Sequence, residues 1–566
     1  MENQLENSKI PITVGIVGNR DAILTEKHKK QIEKLFNDID LKYPNIPVTL
    51  FSQLAVGADT FVAELFLKLK EKENRHYNLI VPIPYNIEEY KTIQFRTKKQ
   101  REIFNSLLLK AERFFVLENN DNLKDKKQLY RQGGKFIANS SILLISLWNG
   151  TASQIQENRI GGTSEIVQFK IYGTFENEVV NQIFDIEGSL ISIHCERKNN
   201  KNRIPLQIKN LYADLNGILN DKSIEKALSK IATYNKSSIT YNRKASNSID
   251  RLNQIRNFIK SETDKKQKSY NNTILFFFLS GFIFFSMFEV FKHKGLIMWA
   301  FWSIITVLLI VIVKYFIAIK LRSHHNYIEG RVLSEALRVQ FYWNLFNVNK
   351  NTADYILRIH KSEFNWIKHF LQAIYGLTYD INKTRKKNIE FIKNDWIITQ
   401  IQYFDKKIYK IKKQVKFLDR ISFLTLIIGV IGLIGIAYCK FSNPELFEIM
   451  PQEFPLSQHY LHIRHLEHRC HIYIIIDSVI FGLSAVSKAY LEKKGYKQIM
   501  NQYRMSKNLF TITLNKLNIE LNKDIIDNIK EKELDRLLFL AGKEALIETG
   551  NWYMIMKEKD PEFEIS

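Results

Sequence analysis

Hydrophobic positions in the first third of the chain form short apolar runs separated by stretches with helical periodicity. Five of these runs have the length of a buried strand, and a weaker sixth run follows them. The runs cover residues 12–17, 48–51, 78–84, 113–118, 141–148 and 185–195. Apolar strands that alternate with helices are typical of a parallel sheet with helices on both faces. The pattern therefore predicts a Rossmann-like α/β domain over residues 1–205.

Long apolar runs replace this pattern in the rest of the chain. Residues 273–291 and 296–319 are separated by a short basic break, and each is close to the roughly 20 apolar residues that cross a bilayer. A second pair covers residues 421–439 and 471–487, of which the last is short and contains Asp477. The predicted fold class is thus an N-terminal Rossmann-like parallel sheet followed by an all-α membrane body with four spans and cytoplasmic helices.

These patterns divide the chain into four predicted parts. A sensing domain (1–205) is followed by a helical linker (206–272). The first transmembrane hairpin with its cytoplasmic helices covers residues 273–420. The second hairpin with C-terminal cytoplasmic helices covers residues 421–566.

The charge balance favours a membrane surface as an anionic partner. The chain has 82 Lys and Arg against 59 Asp and Glu, a net charge of +23, and basic residues cluster beside the apolar runs. No stretch interleaves aromatic and basic residues as nucleic-acid modules do, so no nucleic acid is expected. Because basic flanks stay cytoplasmic, we expect an inner-membrane protein with both termini in the cytoplasm. Three scattered cysteines exclude a disulfide framework and a zinc site.

Three glycine-bearing turns follow predicted strands, in chain order residues 18–20, 56–59 and 161–165. Ligands of such sheets bind beyond the carboxyl ends of the strands, where free backbone N–H groups at a helix start favour a phosphate. Arg20 would pair with the phosphate, and Asp59 or Glu165 would accept from ribose hydroxyls. The alternative is that each glycine serves only its own turn. The predicted ligand-binding residues are Gly18, Asn19, Arg20, Ser52, Gly57, Ala58, Asp59, Gly161, Gly162, Thr163 and Glu165.

The order of these motifs resembles the SLOG superfamily of Rossmann-like domains over about residues 10–170. The segments that carry the resemblance are VGIVGNRD, FSQLAVGADTFVAE, LIVPIP, FIANSSILLISLWNG and GGTSEIV. The resemblance implies binding of a nucleotide-derived signal such as a cyclic nucleotide or an ADP-ribose derivative, with no further cofactor. Lonely-guy relatives hydrolyse nucleoside monophosphates with a Gly-Gly-x-Gly-Thr-x-x-Glu motif. In this chain, Gly161-Gly162-Thr163 is not followed by a further Gly-Thr pair. Sensing is therefore favoured over catalysis, and no catalytic residue is predicted.

The remainder, about residues 240–566, resembles the SLATT family of transmembrane effectors in a form with two hairpins. The motifs are YIEGRVLSEALRVQFYW, WIITQIQYF and GKEALIETGNW. This resemblance implies a homo-oligomer that forms a pore or disrupts the membrane in bacterial antiviral defence, with the signal made by an enzyme encoded elsewhere. Two alternatives stay open. One is a membrane-anchored nucleotide N-glycosidase or hydrolase with Arg20 and Glu165 as its catalytic pair, and the other is a constitutive channel or transporter.

Polar residues near the second hairpin have two readings each. A carboxylate within a span is costly unless it faces water or a partner. Asp477 therefore either lines a pore or lies at an interface. A histidine ladder runs from residue 459 to 471, and His462, His465 and His468 are its candidate metal ligands. Without accompanying carboxylates we expect a polar interfacial helix and no metal there. Gly429, Gly432 and Gly435 are expected to pack the hairpin within one chain.

Overall fold

A computed structural model describes most of the chain, and its described residues form two compact units. The described ranges are 9–73, 75–117, 125–150, 160–172, 189–198, 221–240, 248–293, 297–321, 323–346, 348–356, 361–379, 389–442, 458–522 and 527–558. The first, the sheet unit, comprises Met1–Ile259, Leu333–Ile392 and Lys523–Ile547. The second, the long-helix unit, comprises Lys260–Val332, Lys393–Asn522 and Glu548–Ser566. The boundaries predicted at residues 205, 272 and 420 all fall inside these units.

The sheet unit contains the predicted parallel sheet. Its strands are β1 (Ile12–Gly18), β2 (Val48–Phe51), β3 (Tyr77–Ile83), β4 (Arg113–Val116), β5 (Leu143–Trp148) and β6 (Leu190–His194). All pairings among them are parallel, and the spatial order is β4-β3-β2-β1-β5-β6. The central strands β1, β2 and β5 are buried along nearly their whole length, which explains their continuous apolar sequence.

Helices cover this sheet in the alternating order that the sequence predicts. They are α1 (Glu26–Lys42), α2 (Ala58–Glu73), α3 (Ile87–Gln94), α4 (Lys98–Lys110), α5 (Lys126–Ser140), α6 (Thr163–Tyr172) and α7 (Lys222–Thr240). Helix starts follow capping chemistry: Asn86 accepts from two backbone N–H groups of α3, and Thr97 forms a capping box on α4. Helix α7 belongs to the predicted linker, yet its Asn235 exchanges two hydrogen bonds of 2.8 and 2.9 Å with the backbone of Ile10.

The later helices are longer than the predicted spans. They are α8 (Ser248–His293), α9 (Ile297–Leu321), α10 (Ser323–Phe346), α11 (Lys361–Thr378), α12 (Thr399–Ser442), α13 (Gln458–Lys494), α14 (Tyr496–Leu521) and α15 (Asp527–Lys557). A π-helical stretch, Ile392–Ile398, leads into α12. Helix α11 was predicted to belong to the membrane body, but it packs on the sheet, where Arg113 donates to the carbonyls of Gly376 and Leu377.

Three of the four predicted spans lie in helices long and apolar enough to cross a membrane, and the described residues contain three such helices, not four. They are Ser248–Phe288, Ile389–Tyr438 and Ile472–Leu521. The second predicted span lies in the 25-residue helix α9, of which residues Ile305–Ile317 count as a shorter apolar helix. The three long apolar helices are compatible with a membrane protein, and apolar side chains such as Ile434 on α12 are exposed on them.

Candidate ligand-binding site

A cavity of about 420 Å³ opens at the carboxyl ends of β1 and β5 in the sheet unit. The strand order reverses between these two strands, because the chain adds β2, β3 and β4 on one side of β1 and β5 and β6 on the other. Such a reversal leaves a crevice between the flanking helices, which is where open α/β sheets bind their ligands. Seven of the predicted residues line the cavity: Gly18, Asn19, Arg20, Asp59, Gly161, Gly162 and Thr163.

The first turn leaves β1 with no room for a side chain at Gly18. A Cβ there would lie 2.2 Å from the Cβ of Ala58 and 2.8 Å from the carbonyl oxygen of Leu147. The Thr163 hydroxyl donates to the carbonyl oxygen of Gly18 at 2.8 Å, which fixes the third turn against the first. Gly18 therefore lets a neighbouring strand and two helix starts approach one another closely.

The second turn contributes Asp59 to the cavity, whereas Ser52, Gly57 and Ala58 do not line it. Gly57 has a φ of +99°, and a Cβ there would lie 2.4 Å from the carbonyl oxygen of Arg20. The Ser52 hydroxyl accepts from the backbone N–H of Leu54 at 3.0 Å. The structure thus gives Ser52, Gly57 and Ala58 a role in the shape of the turn.

Asp59 is buried, and this burial raises the pKa of its carboxyl to about 7. The positive charge of Arg20 and a backbone hydrogen bond with Ala55 act in the opposite direction on that pKa. Near neutral pH the carboxyl therefore exchanges between a neutral and an ionised form. The ionised form can accept from ribose hydroxyls, as the sequence analysis predicts, and the neutral form can in addition donate a hydrogen bond to a ligand.

The third turn brings Gly161, Gly162 and Thr163 to the cavity but leaves Glu165 outside its lining. Both carboxylate oxygens of Glu165 have partners, one in the turn and one on α5. One oxygen accepts from the backbone N–H of Gly161 at 2.6 Å, and the other lies 2.8 Å from Nε of Arg131. The structure therefore gives Glu165 a positioning role for the glycine turn at the start of α6.

Helix α5 supplies lining residues that the sequence analysis missed. Lys127 and Tyr130 line the cavity, and the guanidinium of Arg20 lies 4.7 Å from the centre of the Tyr130 ring. The Tyr130 hydroxyl is 2.6 Å from that of Tyr85. This contact holds the ring in place, and the ring in turn positions the guanidinium by a cation–π interaction. The helical pattern of residues 127–140 gave no sign of which face would meet the sheet edge, although the Gly133-Gly134 pair within it was a signal of close approach.

Residues from three further segments complete the polar lining. Gln53 lines the cavity and is buried, and its amide nitrogen has no hydrogen-bond partner among the described residues. Asn149 follows β5, and its Oδ1 accepts a hydrogen bond of 3.5 Å from Nδ2 of Asn19. Arg197 follows β6 and forms an ion pair of 2.7 Å with Asp21. Because Arg197 is paired with Asp21, the charge balance rests on Arg20 and Lys127. These two cations outnumber the single lining carboxyl, Asp59, so the cavity favours an anionic ligand.

In comparisons with known proteins, no family model matches the chain and no curated protein matches it. The SLOG and SLATT resemblances therefore stay predictions from the motifs.

The other predicted polar positions lie in the long-helix unit. Asp477 is buried on α13, where it faces Gly432 of α12. His462, His465 and His468 lie in the first turns of α13, with side chains outside the part of the chain that the structure describes. Within that part, no group of three or more His, Cys, Asp or Glu residues is arranged to hold a metal ion.

Proposed function

We propose that this chain is a membrane-embedded effector of bacterial antiviral defence, gated by a nucleotide-derived second messenger. The observation that supports this proposal is the cavity at the strand reversal, where glycine turns and three cations surround one buried carboxyl. The same chain carries three long apolar helices. Ligand binding would change the arrangement of the long apolar helices, which would then form a pore or disrupt the membrane. The active form would be a homo-oligomer.

The chemistry of the lining supports a phosphate-bearing ligand with a polar ring system. Backbone N–H groups at the start of α6 and the side chains of Arg20, Lys127 and Arg197 would hold phosphate oxygens. Gln53 lines the cavity and places a side-chain amide near a base or a ribose. A volume of 420 Å³ lies at the lower end of ligand pockets, which span about 300–1,000 Å³, and this favours a ligand of mononucleotide size.

We retain four crossings in this proposal for a topological reason. Residues 1–259, 333–392 and 523–547 belong to one compact unit, which must lie on one side of a membrane. Each excursion from that unit therefore crosses an even number of times. The apolar part of α8 needs a return crossing, and α9, which is 25 residues long, is the apolar helix that supplies it. Both termini are then cytoplasmic.

Reporter fusions at the two ends test this topology. Green fluorescent protein fluoresces in the cytoplasm, and alkaline phosphatase is active outside it. We expect fluorescence and no phosphatase activity at both ends. Reporters that place the two ends on opposite sides would contradict four crossings and support three.

Dye release from vesicles tests the gated effector. Full-length protein in liposomes would receive a panel of cyclic nucleotides and ADP-ribose derivatives, and one member should release the dye. Gly162→Glu places a negative charge in the cavity lining and should abolish release. Leu109→Glu adds the same charge at an exposed position of α4 and should not. Release without ligand would favour the constitutive channel, and ligand binding without release would contradict an effector.

A second candidate function is hydrolysis of the nucleotide, and Asp59 is the observation that favours it. A carboxyl with a pKa of about 7 beside Arg20 is suited to general acid–base catalysis near neutral pH. Glu165, by contrast, has both oxygens engaged. Product formation that Asp59→Asn abolishes would establish this function, and stable ligand in the presence of excess protein would exclude it.

A further inference from the structure

A second cavity lies within the long-helix unit, between α12 and α13. Its volume is about 330 Å³, and its walls are isoleucine side chains of both helices together with Gly432 and Gly435. Tyr473 and Asp477 are the titratable residues in the lining. A carboxyl group in such apolar surroundings needs either a cation or a proton to neutralise it.

With α12 and α13 inserted across a bilayer, the carboxyl of Asp477 would lie close to the depth of the bilayer centre. An ion pair of 2.9 Å between Asp419 and Lys488 marks the cytoplasmic end of the two helices. Lys488 follows Asp477 by eleven residues on the continuous helix α13, which is about 16 Å at 1.5 Å per residue. Half of a hydrocarbon core of about 30 Å is roughly 15 Å. At that depth an ionised carboxylate is costly.

Glycine makes room for this carboxyl inside the helix pair. A Cβ at Gly432 would lie 2.2 Å from Oδ1 of Asp477, so any other residue would displace the group. One turn away, a Cβ at Gly429 would lie 2.8 Å from the ring of Phe481. The fit between the two helices therefore holds Asp477 in the cavity and away from the end of the hairpin.

Among the side chains that the structure describes, the elements packed around Asp477 offer no cation to pair with it. Residues 421–438 of α12 and 273–288 of α8, whose Phe285 approaches Gly482 of α13, contain no charged residue. On α13 itself, the nearest charged residue in the direction of the cytoplasm is Lys488. Among the described residues, a proton is thus the available neutralising partner.

We propose that Asp477 is a proton-binding site in the membrane: its carboxyl keeps a proton in an apolar cavity that also admits small hydrophobic molecules. The proposal rests on membrane insertion of α12 and α13 and does not depend on the nucleotide ligand. If a pore opens along these helices and admits water, the carboxyl would release its proton. A negative charge would then face the path and favour cations.

Carbodiimide labelling of the full-length protein in phosphatidylcholine vesicles tests this site at neutral pH. A protonated carboxyl adds across one C=N bond of the reagent, its oxygen to carbon and its proton to nitrogen, to give an O-acylisourea. Away from water and amines, the acyl group of this adduct migrates from oxygen to nitrogen and gives the stable N-acylurea. Dicyclohexylcarbodiimide partitions into hydrocarbon and should label Asp477, as read by peptide mass spectrometry. A water-soluble carbodiimide with an amine nucleophile should label Asp477 at least tenfold less.

Asp405 is the internal control, because its side chain is half exposed and pairs with Lys507 at the water-facing start of α12. It should react with the water-soluble reagent and not with the hydrophobic one. Gly435→Leu should lower labelling of Asp477 severalfold, since an added Cβ at that wall meets no atom within 4 Å and the side chain fills the cavity. Equal labelling of Asp477 and Asp405 by the water-soluble reagent, or no labelling of Asp477 by the hydrophobic reagent, would overturn the proposal.

Discussion

Replacing Asp59 by Asn should remove the pH dependence of ligand binding at the sheet unit's cavity. Burial raises the pKa of the Asp59 carboxyl to about 7, so the group is largely neutral at pH 6 and largely ionised at pH 8. An anionic ligand meets no opposing charge from the neutral form. As the pH rises through 7, the carboxylate forms and repels the ligand. Affinity should therefore fall with rising pH in the wild-type protein.

The size of the cavity sets the magnitude of this effect. A volume of 420 Å³ corresponds to a sphere about 9 Å across, and at an effective dielectric constant of about 20 two unit charges at that separation repel by roughly 2 kcal/mol. That energy is about a 20-fold change in the dissociation constant. We therefore expect wild-type affinity to fall by up to about 20-fold between pH 5.5 and pH 8.5.

The assay is equilibrium binding of a cyclic nucleotide to the full-length protein across this pH range. A phosphodiester does not titrate there, so the change reports the protein. Asp59→Asn should bind with constant affinity close to that of the wild type at low pH. Glu71→Gln removes a carboxylate of the same helix outside the cavity and should keep the wild-type slope. An unchanged slope in Asp59→Asn would refute the assignment of the titration to this carboxyl.

Three further predictions concern stability and follow from single contacts, with the thermal midpoint as the measurement. Gly57→Ala should destabilise by about 2–4 kcal/mol, since its positive φ and its contact with a backbone oxygen both penalise a Cβ. Gly150→Ala is the control, because Gly150 has a φ of +71° and open space around it, and it should lose only about 1–2 kcal/mol. Equal losses of stability in the two variants would contradict the destabilising contact at Gly57. Lys170→Met should lose about 1–3 kcal/mol, because the buried side-chain nitrogen donates to two carbonyl oxygens at the end of α5. No change would mean that these bonds contribute nothing. Arg113→Ala should cost a similar amount, because it removes the hydrogen bonds to the end of α11. The control Lys110→Ala removes an exposed ion pair with Glu71 and should be nearly neutral.

The sheet could be predicted from sequence because buried parallel strands leave a direct trace. The run at residues 12–17 became β1, and the weak run at 185–195 contains β6. The glycine turns could also be placed, since a turn after a strand must lie at the sheet edge. The direction of a neighbouring side chain could not be inferred, which is why Glu165 was expected in the cavity and Lys127 was not.

Helical patterns were less informative about tertiary position. An amphipathic helix such as α11 shows which face is buried but not which surface covers it, so its packing against the sheet was missed. The apolar runs predicted spans, but the helices extend beyond them: α8 continues through basic residues 260–268 into the apolar segment without a break. A change from polar to apolar residues along the chain therefore leaves the helix intact.

The most direct test of the central proposal is a thermal-shift measurement on the full-length protein in detergent with a nucleotide panel. The panel would contain cyclic nucleotides, ADP-ribose derivatives and nucleoside monophosphates. We predict that one class raises the melting temperature of the wild type and of Leu109→Glu, and leaves Gly162→Glu unchanged. No shift with any compound, in protein whose unliganded melting transition is cooperative, would contradict a nucleotide-gated sensor.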